Sequence, residues 1–117
     1  MNIISLISVF IGSGLGGVCR WVLSIYFNWQ FPLGTLIANI LGCFVLGFLT
    51  RLSPGNEHIR LLFMTGFCGG FTTFSTFMNE SLTMMRGGQL LISLLYICVS
   101  LVFGLSAAWL GYQISMR

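Results

Sequence analysis

The chain is predicted to be an all-α membrane protein, with four transmembrane helices and the third broken near its middle. Three observations carry that prediction. Of 117 residues, 56% are hydrophobic and only 6% are charged, whereas an ordinary soluble domain has about a quarter of its residues charged. The apolar residues gather into four segments of about 20 residues, each able to cross a hydrocarbon core of roughly 30 Å. One segment contains Gly66-Phe67-Cys68-Gly69-Gly70-Phe71-Thr72-Thr73-Phe74-Ser75-Thr76-Phe77-Met78-Asn79-Glu80, where adjacent glycines and two β-branched threonines lower helix propensity.

The first helix is expected over about residues 3–27, with Arg20 near its far end. It lacks a basic region before the apolar run and a small-residue cleavage site, so it is expected to be retained as a membrane helix. Residues 27–32, ending in Pro32, make the first turn, and the uncharged second helix covers about 33–50. The stretch from Leu52 to His58 carries the Pro, Gly and Asn of a loop. A third segment, about 61–85, is expected to lose regular hydrogen bonding near 69–73 and to restart at Phe74, leaving two arms each too short to span alone. Arg86-Gly87-Gly88 closes it. The fourth, about 90–114, is charge-free, long enough for one tilted helix and too short for two. Residues 1–117 therefore form one four-helix domain.

The chain has no Lys and no Asp; its charges are Arg20, Arg51, Arg60, Arg86, Arg117, Glu57 and Glu80. A net charge of +3 marks no nucleic-acid surface. Arg51, Arg60 and Arg117 fall on the side of both termini and Arg20 and Arg86 on the other, a bias too small to fix orientation. Insertion both ways, and hence an antiparallel dimer, is compatible with that balance. Cys19, Cys43, Cys68 and Cys98 fall one per segment, without metal or disulfide spacing, and are expected to be small core residues.

A helix break in lipid leaves backbone groups unpaired, which is tolerable only where protein or a water-filled cavity surrounds them. The restarting half offers its positive end to an anion, and unwound carbonyls can hold a small cation; the competing reading is a glycine face for close packing. Gly12 to Gly17 match a dinucleotide-binding string, but no strand-turn-helix unit surrounds it, so the nucleotide reading is rejected. Gly12 and Gly16, like Gly66 and Gly70, have the spacing of helix packing. Asn79-Glu80-Ser81 is a sequon by accident of its membrane setting.

Arg20, Asn39 and Glu80 are the polar groups at membrane depth, and such groups face protein or water. Arg20 either snorkels or serves a site; Asn39 either bonds a neighbouring helix or lines a path, and Thr35 shares its face. Glu80 could line a vestibule, pair with an arginine or act as an acidic coupling group. Tyr96, Ser100, Gly104 and Ala108 form one polar-to-small stripe. Phe74 and Phe77 lie near each other on the restarted half, as ordinary aromatics or as rings turned edge-on to an anion. No nucleophile, base and orienting group can be assembled around the single histidine, His58, and no metal cluster is apparent, so the chain is not expected to be an enzyme.

The strings Gly17-Val18-Cys19-Arg20-Trp21, Gly34-Thr35-Leu36-Ile37-Ala38-Asn39-Ile40-Leu41-Gly42 and Thr65 to Phe77 resemble those of the Fluc/CrcB family of bacterial fluoride channels. The resemblance implies an antiparallel, dual-topology homodimer in the bacterial cytoplasmic (inner) membrane, with two fluoride pores and a structural sodium ion at the dimer centre. It implies that Phe74 and Phe77 are paired pore phenylalanines and Asn39 a polar pore residue. Thr35, Ser75, Thr76, Glu80, Tyr96 and Ser100 belong to a polar track on this reading, and Arg20 to a vestibule. Main-chain carbonyls of Gly69 and Thr72 from both subunits would hold the sodium. Gly104 departs from the family pattern, where a hydroxyl residue is usual.

The function expected is passive, fluoride-selective export that lowers cytoplasmic fluoride and gives fluoride resistance. The alternative is a proton-coupled multidrug exporter of the small four-helix, dual-topology type, which would want a membrane acid early in the chain, where this sequence has Arg20. A non-transporting assembly subunit would leave the broken helix without a purpose.

Overall fold

The computed structural model describes residues 2–52 and 55–114. Arg117 of the charge balance and Pro54 of the second loop lie outside the described residues. Helix α1 covers Ile3–Phe27 and opens on Asn2, whose side chain accepts the Ser5 N–H at 2.8 Å. Helix α2 covers Leu33–Leu52, two residues beyond expectation, with Arg51 in its last turn. Arm α3 runs over residues 57–71, helix α4 over Ser75–Arg86 and helix α5 over Leu90–Ile114. Among the described residues four segments are long and apolar enough to cross a membrane, counting α3 and α4 as one. The long axis of the molecule, 48 Å, matches a bilayer with its interfacial regions.

The third segment differs from expectation at three points. It starts four residues early, because Asn56 is an N-cap whose Oδ1 accepts the N–H groups of His58 and Ile59. It is α-helical over Glu57–Arg60, π-helical over Leu61–Cys68 and α-helical again over Gly69–Phe71. The interruption lies at Thr72–Phe74 rather than 69–73, with Thr72 extended at φ −84°, ψ 157°. Gly70 stays helical because its missing side chain serves packing: a Cβ there would stand 2.9 Å from the Ser13 Cα. Helix α4 restarts at Ser75, with the Thr73 Oγ1 accepting the Thr76 N–H at 3.2 Å. Neither arm reaches across roughly 30 Å at about 1.5 Å per residue.

Glycine-mediated contacts hold the bundle, two of them between long helices packed side by side. In the first, α1 lies against α3: a Cβ at Gly16 would stand 2.7 Å from the Phe71 nitrogen, and one at Gly12 would stand 2.9 Å from the Phe67 nitrogen. In the second, α2 lies against α5, where a Cβ at Gly47 would stand 2.7 Å from the Ala108 carbonyl carbon. The packing reading of Gly12, Gly16, Gly66 and Gly70 therefore holds alongside the break. Between α4 and α5, Gly88 adopts the left-handed φ of 82° that closes the turn.

The interior mixes polar and apolar side chains, whereas the exterior is strongly apolar. Thr35, Ser81, Ser93 and Tyr96 are buried, while large apolar side chains such as Phe10, Leu91 and Leu105 face outward, as expected where the surroundings are lipid rather than water. That apolar exterior corrects the expectation for the cysteines. Cys68 is buried and Cys43 half-buried, but Cys19 and Cys98 are exposed, because a small apolar side chain loses nothing on a lipid-facing surface.

Candidate functional site

The site begins at the break, where side chains of α1 and α2 bond the exposed backbone groups and the Thr72 hydroxyl adds to a carbonyl that already has its helical partner. Asn39 of α2 makes a two-point pairing with Thr73: its Oδ1 accepts the Thr73 N–H at 2.8 Å and its Nδ2 donates to the Thr73 carbonyl at 3.1 Å. The Thr72 hydroxyl donates to the Cys68 carbonyl at 2.8 Å. Arg20 of α1 reaches the Gly70 carbonyl through Nε at 3.4 Å, which puts its charge at the C-terminal end of α3, where the helix dipole favours it. Arg20 is thus placed against the break.

One helical turn and a half beyond, Glu80 collects neutral donors. The hydroxyl of Thr35 and the Nδ2 of Asn28 donate to its Oε2 at 2.9 and 3.0 Å, and the Tyr96 hydroxyl donates to its Oε1 at 3.0 Å. Thr35 is completely buried and Tyr96 nearly so. Three helices and the first turn therefore converge on one carboxyl group, with hydroxyl and carboxamide partners in place of an arginine.

Aromatic rings connect the two clusters. Phe74 and Phe77 meet edge to face, centroids 6.2 Å apart at 63°, and Phe77 meets Tyr96 at 5.0 Å and 67°. Phe31 completes the series against Tyr96 at 5.3 Å and 82°. Phe77 is buried, whereas Phe74 is 71% exposed in the single chain. An open cavity of about 250 Å³ is lined by Asn39, Thr73, Phe74, Phe77, Ser100 and Gly104 among others. The buried Ser100 Oγ, which borders it, has no hydrogen-bond partner among the described residues.

The candidates fall into four groups. Thr35, Glu80 and Tyr96 come together at the carboxyl cluster, and Asn39, Phe74, Phe77 and Ser100 come together at the cavity. Gly69 lies in the last turn of α3 and Thr72 directly after it, where it also lines the cavity. Ser75 and Thr76 lie on the first turn of α4: Ser75 is exposed, and Thr76 bonds the cavity-lining Thr73 through its backbone N–H, neither lining the cavity itself. Sequence reading missed Asn28, Thr73 and Cys43. For Asn28 the available signal was a carboxamide directly after an apolar helix; for Cys43 it was its position four residues after Asn39.

A helix interrupted at bilayer depth, with hydroxyls, carboxamides and a carboxyl group strung along its turn, defines a small multi-pass membrane protein with an internal polar track. Comparison with known proteins gives the family. Residues 7–112 match the family described as CrcB-like protein, Camphor Resistance (CrcB). The chain is 37% identical to a protein of Chlorobium phaeobacteroides over 95% of this chain and 92% of that one. It is 43% identical to one from Azobacteroides pseudotrichonymphae, over 89% and 90% of the two chains. It is 42% identical to one from Phocaeicola vulgatus, over 95% and 98%. Each of these relatives is named a fluoride-specific ion channel, FluC. The chain belongs to the CrcB family, and it is a multi-pass bacterial membrane protein.

Proposed function

We propose that the protein is a fluoride-selective channel through which the anion leaves the cytoplasm passively, lowering cytoplasmic fluoride. The observation that carries this reading is the continuous series from Asn39 through Phe74, Phe77 and Tyr96 to Glu80, in a chain whose relatives are named fluoride channels. Fluoride is small and strongly hydrated, so a pore has to replace its water with donors without holding it too tightly to leave. The groups on offer suit that task. One N–H of the Asn39 carboxamide engages Thr73, which leaves the other for the cavity. The Ser100 hydroxyl lies beside it, and ring edges, positive in the aromatic quadrupole, supply weak contacts between strong ones.

A second copy, inserted in the opposite sense, completes the pore on this reading. The support is that Phe74 and the cavity stand open on the surface of the single chain, and a path for a dehydrating ion needs walls on every side. Sodium at the dimer centre fits the chemistry of the break. The Thr73 N–H goes to Asn39, so the Gly69 carbonyl, its helical acceptor four residues earlier, is left available to a hard cation, as is Thr72 in its extended conformation. A sodium ion bound there would tie the two interrupted helices together. The exporter reading finds no support in these contacts, since Glu80 is held by three neutral donors and stands in the third segment.

The test is efflux from liposomes holding purified protein, with fluoride and chloride read side by side and no proton gradient imposed. Rapid fluoride loss with little chloride loss is expected. Folded protein that releases no fluoride would refute the channel reading.

A further inference from the structure

On the outer side of Glu80 the structure contains a second open cavity, about 180 Å³, lined by Asn28, Trp29, Gln30, Pro32, Glu80 and Thr83. Asn28 stands where this space meets the carboxyl cluster. It is the residue that ends α1, its backbone N–H bonding the Ser24 carbonyl at 3.0 Å. Its side chain is fixed from two directions. The Oδ1 accepts the Thr35 N–H at 3.2 Å, and the Nδ2 donates to the Glu80 Oε2 at 3.0 Å and reaches the Thr35 Oγ1 at 3.2 Å. Because a backbone N–H can only donate, the Thr35 contact determines which end of the carboxamide is oxygen and turns the NH₂ towards Glu80. Gly34 makes the approach possible, since a Cβ there would stand 2.9 Å from the Asn28 Oδ1.

We propose that Asn28 is a positioning residue of the ion path: through its carboxamide the turn after α1 holds the Glu80 carboxyl against Thr35 and Tyr96, so that the outer cavity opens onto the track. The inference rests on the channel reading for its link to flux, but the Asn28–Glu80 bond can be tested without it. With the bond in place, both carboxyl oxygens have partners, two donors on Oε2 and one on Oε1. Without it, Thr35 still holds Oε2 and Tyr96 still holds Oε1, but the carboxyl group loses its bond to the turn after α1 and its place at the mouth of the cavity is no longer fixed from that side.

The experiment is a cycle of Asn28→Asp, Glu80→Gln and the double variant, each purified as full-length protein. Initial fluoride efflux and the midpoint of thermal unfolding are read for every member. Asn28→Asp alone sets two carboxyl groups edge to edge and is expected to cut efflux by about tenfold, the factor that matches loss of one hydrogen bond. In the Glu80→Gln background the carboxamide at position 80 can turn its NH₂ to the new carboxylate and the bond can re-form, so Asn28→Asp is expected to change efflux by less than about twofold and to leave the midpoint close to that of Glu80→Gln alone. A merely structural Asn28 would cost the same in both backgrounds, and that result overturns the proposal, as does wild-type efflux in Asn28→Asp. If Glu80→Gln carries no fluoride by itself, non-additive midpoints decide for the pair and additive midpoints against it. A wild type that carries no fluoride would refute the channel reading instead, and the midpoints would still judge the bond.

Discussion

The pairing of Asn39 with Thr73 allows a quantitative test of what holds the break. Replacing Asn39 with Ala removes a donor and an acceptor at once and leaves the Thr73 N–H and C=O without the bonds they make at 2.8 and 3.1 Å. Interhelical hydrogen bonds within membranes average about 0.6 kcal/mol and reach about 1.7, whereas a stranded buried backbone group costs about 1–3 kcal/mol. The larger figure applies only where nothing replaces the lost partner. Thr72 is extended and the helix does not resume until Ser75, so no helical neighbour can step in, but water from the adjoining cavity can reach Thr73. The expected loss is therefore about 2 kcal/mol, a substantial share of a typical stability of about 5–15 kcal/mol. For a chain of this size that is a fall of roughly 6–12 °C in the unfolding midpoint.

Asn39→Asp separates the two bonds. It keeps the acceptor for the Thr73 N–H but sets a second oxygen against the Thr73 carbonyl, and it places an acceptor-only group beside the cavity. It should be no more stable than Asn39→Ala and should pass less fluoride. Thermal unfolding in detergent, followed by the fluorescence of the three tryptophans, and liposome efflux measure the two effects. An Asn39→Ala midpoint within about 1 °C of wild type would mean that the break does not depend on this side chain. Full fluoride flux in Asn39→Asp would place Asn39 off the path.

Further outcomes follow from the same contacts. Phe74→Ile and Phe77→Ile should each slow fluoride efflux by roughly tenfold, the loss of one aromatic contact of about 1.4 kcal/mol; only Phe77→Ile should also lower the unfolding midpoint of dissociated protein, because Phe77 is buried in the single chain and Phe74 is exposed. Equal flux in both variants and wild type would remove the ring edges from the mechanism. At the α2–α5 contact, Gly47→Ala forces a Cβ onto the Ala108 backbone, 2.7 Å from its carbonyl carbon, and should destabilise by about 1–3 kcal/mol. Gly104→Ser on the same face should be tolerated, since the new Cβ would rest 3.6 Å from the Cys43 Sγ in ordinary contact, and its hydroxyl would join the cavity beside Ser100 without lowering fluoride efflux. A midpoint lower for Gly104→Ser than for Gly47→Ala would contradict the packing described here.

Much of this protein was legible in its sequence. Apolar runs separated by Pro, Asn and Gly located α1 and α5 with the observed bounds and α2 to within two residues, because in lipid a spanning segment has to satisfy its own backbone and cannot hide its length. The presence of an interruption, the shared face of Thr35 and Asn39 and the meeting of Phe74 with Phe77 were likewise local matters of propensity and helical spacing. Tertiary structure decided which polar groups meet. Whether Gly70 breaks a helix or admits Ser13 depends on what stands opposite, as does whether Arg20 snorkels outward or turns to the Gly70 carbonyl. Asn28 lies 52 positions from Glu80, and no periodicity links them. They meet because the turn after α1 folds back over α4, bringing a carboxamide to a carboxyl group that the low-dielectric interior cannot leave without partners.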